Sequence, residues 1–148
     1  MTSRRIALWG VMLCTTYCVC IGCGRSHNLP GETGTVSGRV TYGSGTIPEG
    51  SSIVMLHKGS GIPAVGMTDA DGNFTLKMRN GPDVLVGDYI VNIRPPGEID
   101  DNVVKITPQT VPAAWNKVPQ KYWNANTSGE TYTVNPGTNF YEFTLSDK

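Results

Sequence analysis

Residues 85–94 read LVGDYIVNIR, and their alternation of apolar and polar side chains indicates a β-strand with one face in a protein core. Tyr89, Val91 and Ile93 fall on the same face, because successive side chains of a strand point to opposite sides. Gly87 supplies backbone freedom where this strand begins. We therefore expect Tyr89 to be buried, with its hydroxyl returning a hydrogen bond to the backbone as in a tyrosine corner.

A second informative stretch, TDADGNF at residues 68–74, predicts a tight turn that enters another strand at Phe74. Asp tolerates turn geometry, and Gly72 permits a positive φ. Asp69 and Asp71 also offer carboxylate oxygens of the kind that calcium prefers. The remaining ligands of a calcium loop, including a bidentate Glu, are missing from this stretch. A hairpin turn is therefore the better interpretation, and neither a metal nor a cofactor is predicted.

Other segments alternate, or are apolar on both faces, between turn signals. The further predicted strands are 36–42, 52–57, 64–68, 73–78, 131–135 and 139–146, with 103–107 as a candidate short edge strand. Gly and Pro, at 18 and 10 of 148 residues, imply many tight turns, and the polar part of the chain lacks a 3.6-residue apolar period. About seven strands predict an all-β fold, an antiparallel β-sandwich of the transthyretin-like or immunoglobulin-like type.

The strand pattern fails between residues 98 and 130, where three prolines interrupt the chain. This segment carries Trp115, Tyr122 and Trp123. Irregular stretches of this length inside a compact domain are commonly functional. Two interpretations stay open: the rings form a platform that stacks on a glycan or a partner, or they plug an open end of the sandwich.

The N-terminus has the pattern of a secretory signal. Arg4 and Arg5 precede an apolar run over residues 6–21, which corresponds to the charged region and the apolar helix of a signal peptide. The run is shorter than the ~20 apolar residues that a transmembrane helix needs, and polar sequence follows it at once. We therefore expect the protein to be exported.

The signal ends in Cys20-Ile21-Gly22-Cys23, which resembles the lipobox of bacterial lipoproteins. The resemblance implies that Cys23 becomes the first residue of the mature chain and carries the lipid. Small residues also permit ordinary cleavage after Gly24, so the two processing routes stay open. All four cysteines lie at or before position 23, so the folded part holds no disulfide.

Three motifs, Val36-x-Gly38-x-Val40, TDADGNF at 68–74 and Leu85-x-Gly87-x-Tyr89-x-Val91, follow one another in the chain. In this order they resemble the carboxypeptidase-regulatory-like family, whose domain is a transthyretin-like β-sandwich. The resemblance implies structural roles for Gly72, Phe74, Gly87 and Tyr89. It implies no peptidase activity, because this domain is the accessory part of carboxypeptidases.

Charge and histidine content exclude several function classes. The 12 basic and 12 acidic residues balance to a net charge of +0, which leaves no field to attract nucleic acid. His27 and His57 are the only histidines in the sequence, too few for a two-His zinc set and poorly placed for a Ser/His/Asp triad. We therefore predict that the protein is not an enzyme.

These observations divide the chain into a signal peptide at 1–22, a flexible tether at 23–34 and a β-sandwich at 35–146. They predict a non-catalytic envelope lipoprotein with a structural or protein-interaction role, held to a bacterial membrane by its lipid. An envelope protein or a glycan is the expected partner. The alternatives are a carbohydrate-binding module that uses the three aromatic residues of the irregular segment, and a transthyretin-like carrier of small ligands.

Overall fold

A computed structural model describes residues 29–96, 98–100, 103–105 and 111–147. The strands, in chain order, are β1 Thr33–Tyr42, β2 Gly45–Thr46, β3 Ser52–His57, β4 Pro63–Met67, β5 Asn73–Thr75, β6 Val84–Leu85, β7 Gly87–Arg94, β8 Glu98–Asp100, β9 Val103–Lys105, β10 Glu130–Val134 and β11 Gly137–Leu145. Two short 3₁₀ helices, Ala113–Lys117 and Gln120–Trp123, and one helical turn α1, Ala125–Ser128, precede β10.

Two sheets face each other. In the first sheet, β1 pairs with β11 on one side and with the short strands β2, β5 and β6 along its other side. The second sheet has the strand order β10-β7-β3-β4, and β8 and β9 form a separate two-stranded hairpin. The structure therefore confirms the predicted all-β sandwich.

The core lies between the two sheets and is built by the predicted alternation. Tyr89, Val91 and Ile93 of β7 are fully buried. Tyr141 and Phe143 of β11 face them from the other sheet and are 8% and 4% exposed. β7 and β11 thus contribute alternate apolar side chains to a common layer, and burial of such a layer is the main source of folding free energy in a domain of this kind.

One long strand pairing differs from the expected antiparallel arrangement. β1 and β11 run parallel, in a register that starts at Gly34 opposite Gly137 and ends at Tyr42 opposite Leu145. The chain leaves β10 in the second sheet and crosses to the first sheet at Pro136 before β11 begins. Because β11 is not joined to β1 by a hairpin, nothing in the connection requires the pair to be antiparallel.

The predicted strand over residues 73–78 also has a different form. Only Asn73–Thr75 pairs with β1, and Lys77 then bridges Val65 of β4 in the second sheet. The chain therefore passes from one sheet toward the other within this segment, while Leu76 stays fully buried between them. This crossing closes one side of the sandwich.

Tyr89 forms the predicted corner. Its hydroxyl donates a hydrogen bond of 2.8 Å to the carbonyl oxygen of Leu85, and burial raises the pKa of this hydroxyl. Leu85 belongs to the first sheet and Tyr89 to the second, so the bond closes the point where the chain changes sheet. Gly87 lies between them with φ 139°, and a Cβ there would stand 2.5 Å from Nε2 of His57. Glycine is therefore required at the corner.

The first described residues correct the end of the predicted tether at 23–34. Thr33 and Gly34 already pair with β6, and the carbonyl of Glu32 accepts a hydrogen bond from Val86. Leu29 packs against the main core. Residues 29–34 are therefore part of the folded domain, because they are hydrogen-bonded to it and supply apolar contact.

The expected signal peptide and Cys23 lie outside the described residues, and so does the candidate cleavage site after Gly24. Among the residues that the structure describes, no helix has both the length and the apolar character to cross a membrane.

Removal of the Tyr89 side chain tests the corner. Tyr89→Ala should lower the free energy of unfolding by about 3–5 kcal/mol, because it leaves a cavity in a core whose total stability is about 5–15 kcal/mol. Tyr89→Phe should cost only about 1 kcal/mol, because it removes one hydrogen bond. Urea denaturation measures both changes.

Phe140→Ala is the matched control, because this aromatic residue of β11 is 63% exposed and its loss should change stability by less than about 0.5 kcal/mol. An equal effect of Tyr89→Ala and Phe140→Ala would contradict the assignment of Tyr89 to the core.

Candidate functional site

The turn at residues 68–73 uses its carboxylate internally. One carboxylate oxygen of Asp69 accepts hydrogen bonds from the backbone N–H of Asp71 at 2.9 Å and of Asn73 at 2.8 Å. The side-chain amide of Asn73 donates to the second oxygen at 3.1 Å. These bonds, first of all that of the Asn73 side chain, lower the pKa of Asp69. No set of three or more metal-ligating side chains occurs in the described part of the chain.

This turn is also attached to β1. Gly72 has φ 79°, and any Cβ at this position would collide with the carbonyl oxygen of Val40. The N–H of Val40 donates to the Gly72 carbonyl at 2.9 Å, and Nε of Arg39 donates to the Asp71 carbonyl at 3.1 Å. The turn is thus held at one end of the sandwich, beside the hairpin of β1 and β2.

Trp115 lies in the first 3₁₀ helix and is fully buried. Its indole N–H donates a hydrogen bond of 3.2 Å to Oγ of Ser51, and Ser51 Oγ donates in turn to the carbonyl oxygen of Pro48. The indole of Trp123 meets that of Trp115 edge to face, with ring centroids 5.4 Å apart. The irregular segment is therefore anchored to the core by an aromatic pair and a hydrogen-bond relay.

Tyr122 is 2% exposed and packs edge to face on Phe143 at 5.6 Å. Its hydroxyl oxygen accepts a hydrogen bond from the backbone N–H of Ser146 at 3.1 Å. Trp123 is half-buried against the core. The rings of Trp115 and Tyr122 therefore offer no face to a glycan, which favours, of the two interpretations, the one in which these rings plug the sandwich.

The turn and the first 3₁₀ helix meet around a cleft of about 360 Å³, which we call the end cleft. Ala70 from the turn and Ala114 from the helix both line it, although they are distant in the sequence. Its floor consists of Ile47 and Val118, which are 2% and 3% exposed, and of the half-buried Tyr42. Glu49 and Lys117 stand exposed at its rim.

Hydrogen bonds connect the walls of the end cleft. The hydrogen bonds from Trp115 to Ser51 and from Ser51 to Pro48 reach the cleft, because Pro48 lines it. Thr68 Oγ1 donates to the same Pro48 carbonyl at 3.2 Å. Thr46 Oγ1 donates to the carbonyl of Ala70 at 3.3 Å. The three wall segments are therefore held in fixed positions relative to one another.

A second exposed feature is β11, which lies at the edge of its sheet. This strand is nine residues long, contains neither Pro nor Lys, and has Glu142 as its single charged residue. Phe140 projects from its outward face and is 63% exposed. Natural edge strands are usually short or protected by Lys, Pro or a bulge, because free N–H and C=O groups attract other strands. We call this unprotected side of the strand the β11 edge.

The pairing with β1 determines which backbone groups of β11 face the open side. The carbonyl oxygen of Tyr141 lies against Gly38 of β1, so the neighbouring residues Phe140 and Glu142 turn their polar backbone groups to the opposite, open side. Tyr132 covers part of that side, since its hydroxyl donates to the Phe140 carbonyl at 3.3 Å. The N–H groups of Phe140 and Glu142 therefore point to the side of β11 that is away from β1.

Sequence reasoning identified Asp69, Asp71 and Trp115 but assigned them no common site. The structure places all three next to residues that line the end cleft, although none of the three lines it. Glu49 and Lys117 were missed, because nothing in their local sequence indicates that they line the same cleft. Phe140 did carry a signal, since it is an aromatic residue on the polar face of an alternating strand.

No protein-family model matches the chain. No curated protein matches it either. A DUF3823 family protein from Parabacteroides merdae ATCC 43184 is similar in structure, with 16% identity and a TM-score of 0.43, over 78% of this chain and 47% of that one. A leucine-rich repeat protein from Bacteroides thetaiotaomicron VPI-5482 is similar with 15% identity and a TM-score of 0.40, over 78% of this chain and 12% of that one. The chain thus spans less than half the length of either structure. The comparisons do not confirm a carboxypeptidase-regulatory-like domain.

Replacement of Trp115 tests its anchoring role. Trp115→Ala should lower the free energy of unfolding by about 3–5 kcal/mol through lost burial, as measured by urea denaturation. Lys117→Ala, an exposed change in the same 3₁₀ helix, should alter stability by less than about 0.5 kcal/mol. Unchanged stability of Trp115→Ala, together with loss of retention on a polysaccharide column, would show instead that the indole is a glycan platform.

Proposed function

We propose that this protein is a non-catalytic, lipid-anchored domain of the bacterial cell envelope that binds extended segments of partner proteins along the β11 edge. In this proposal the domain is of the carboxypeptidase-regulatory-like type and acts as an accessory interaction module. The observation that carries the proposal is the unprotected edge strand with its exposed Phe140.

An edge of this kind suits strand addition. A partner segment that pairs with β11 would receive hydrogen bonds from the N–H groups of Phe140 and Glu142, which face the open side. Backbone hydrogen bonds provide affinity in this binding mode, and side chains on alternate positions provide specificity. Phe140, between Thr138 and Glu142 on the outward face, supplies an apolar contact for the partner.

The anchor is supported by the lipobox-like sequence that ends at Cys23. The chain from Cys23 to Leu29, the first residue described, spans at most about 20 Å when extended. A lipid on Cys23 would therefore keep the sandwich close to the membrane surface. The partner segments expected at the β11 edge are accordingly those of proteins in or near the same membrane.

Replacement of the lipid acceptor tests the anchor. Cys23→Ser should abolish incorporation of a labelled fatty acid and leave an unprocessed precursor, because the serine hydroxyl replaces the thiol that takes the lipid. Cys18→Ser is the matched control and should keep the label, since this cysteine lies in the apolar run and outside the Cys20–Cys23 motif. Labelling that persists in Cys23→Ser would contradict the lipoprotein assignment.

The β11 edge is tested with a photocrosslinking amino acid at position 140 in living cells, combined with Glu142→Pro. Proline at position 142 removes an N–H that points away from β1, so β11 keeps its hydrogen bonds to β1 and should still fold. A bound partner segment would lose the hydrogen bond that this N–H donates. Crosslinked adducts should fall about fivefold, as expected for the loss of one backbone hydrogen bond.

Glu142→Gln is the control for this experiment, because it removes the charge and keeps the N–H. It should leave the adducts unchanged, and thermal unfolding should show that both variants are folded. Equal adduct yields from the wild type and Glu142→Pro, or no adducts in either, would refute strand addition at this edge.

A further inference from the structure

The end cleft has an apolar floor of a size that suits a small molecule. Its volume of about 360 Å³ lies within the range of ~300–1,000 Å³ that is usual for ligand pockets. The nearly buried side chains of Ile47 and Val118 and the half-buried Tyr42 line its base. A ligand with an apolar body would remove this surface from water, which is favourable.

Two opposite charges stand at the rim on different walls. Glu49 belongs to the loop after β2, and Lys117 ends the first 3₁₀ helix. Neither side chain has an ion pair or a hydrogen bond to any described residue, although both line the same cleft. The two charges therefore do not neutralise each other, and each is available to a ligand that enters between them.

Hydrogen bonds within the protein fix the walls of the end cleft. The relay from Trp115 through Ser51 to Pro48 ties the 3₁₀ helix to the loop that carries Glu49. The bond from Thr46 to Ala70 fixes the third wall. Binding to such a preformed site costs little ordering of the protein backbone, which favours affinity for a small molecule.

We infer that the end cleft binds a small zwitterion with an apolar body, of the amino-acid or short-peptide class. The ammonium group of the ligand lies at Glu49, its carboxylate lies at Lys117, and its apolar side chain rests on Ile47 and Val118. This site is separate from the β11 edge and goes beyond the proposed function.

Titration calorimetry on the full-length chain, purified in detergent, tests this inference with L-phenylalanine and L-alanyl-L-phenylalanine as probes. N-acetyl-L-phenylalanine lacks the ammonium group, and L-phenylalanine amide lacks the carboxylate. Each blocked form should bind the wild type about threefold to fivefold more weakly than phenylalanine, as expected for the loss of one exposed ion pair.

Variants of Glu49 and Lys117 test which charged group of the ligand each residue binds. In Glu49→Gln, phenylalanine and its N-acetyl form should bind equally, while the amide remains the weaker ligand. In Lys117→Gln, phenylalanine and its amide should bind equally, while the N-acetyl form remains weaker. Glu142→Gln and Lys58→Gln, exposed changes outside the end cleft, should leave all affinities as in the wild type.

The inference is overturned if neither phenylalanine nor the dipeptide binds, or if the wild type binds the free and blocked forms equally. It is also overturned if the control variants change the affinities as much as Glu49→Gln and Lys117→Gln do. The crosslinking experiment at the β11 edge does not depend on these outcomes.

Discussion

The hydrogen bond from the Tyr89 hydroxyl to the Leu85 carbonyl joins the first sheet to the second where the chain passes between them, and the burial of the Tyr89 ring fixes both sheets to one core. Leu85 ends the short strand that pairs with the start of β1, and Tyr89 is the third residue of β7, an inner strand of the second sheet. The positive φ of Gly87 makes this change of sheet sterically possible. Both apolar faces then meet across one core, in which the ring of Tyr89 is fully buried.

The part of the irregular segment around Trp115 supports both the core and the end cleft. Trp115 fills the end of the core, and its relay through Ser51 positions the loop that follows β2. The same loop and the Asp69 turn then enclose a cleft with the 3₁₀ helix. Tryptophan is often found in binding sites, but the buried ring of Trp115 supports the walls of the cleft instead.

The two exposed features differ in the physical basis of recognition. The β11 edge offers backbone donors and one large apolar side chain, Phe140, over an extended strand. The end cleft offers a compact apolar floor between two separated charges, Glu49 and Lys117. The first suits a peptide in extended conformation, and the second suits a small molecule with charges at two positions.

The sequence by itself determined the local features: the alternation that buries Tyr89, the turn that needs Gly72, and the all-β class. These follow from strand geometry and short-range sterics, which neighbouring residues specify. Only the tertiary structure decided that Trp115 bonds Ser51, 64 positions away, and that β1 and β11 pair in parallel. Such contacts depend on which apolar surfaces meet when the whole chain packs, and no local pattern encodes that choice.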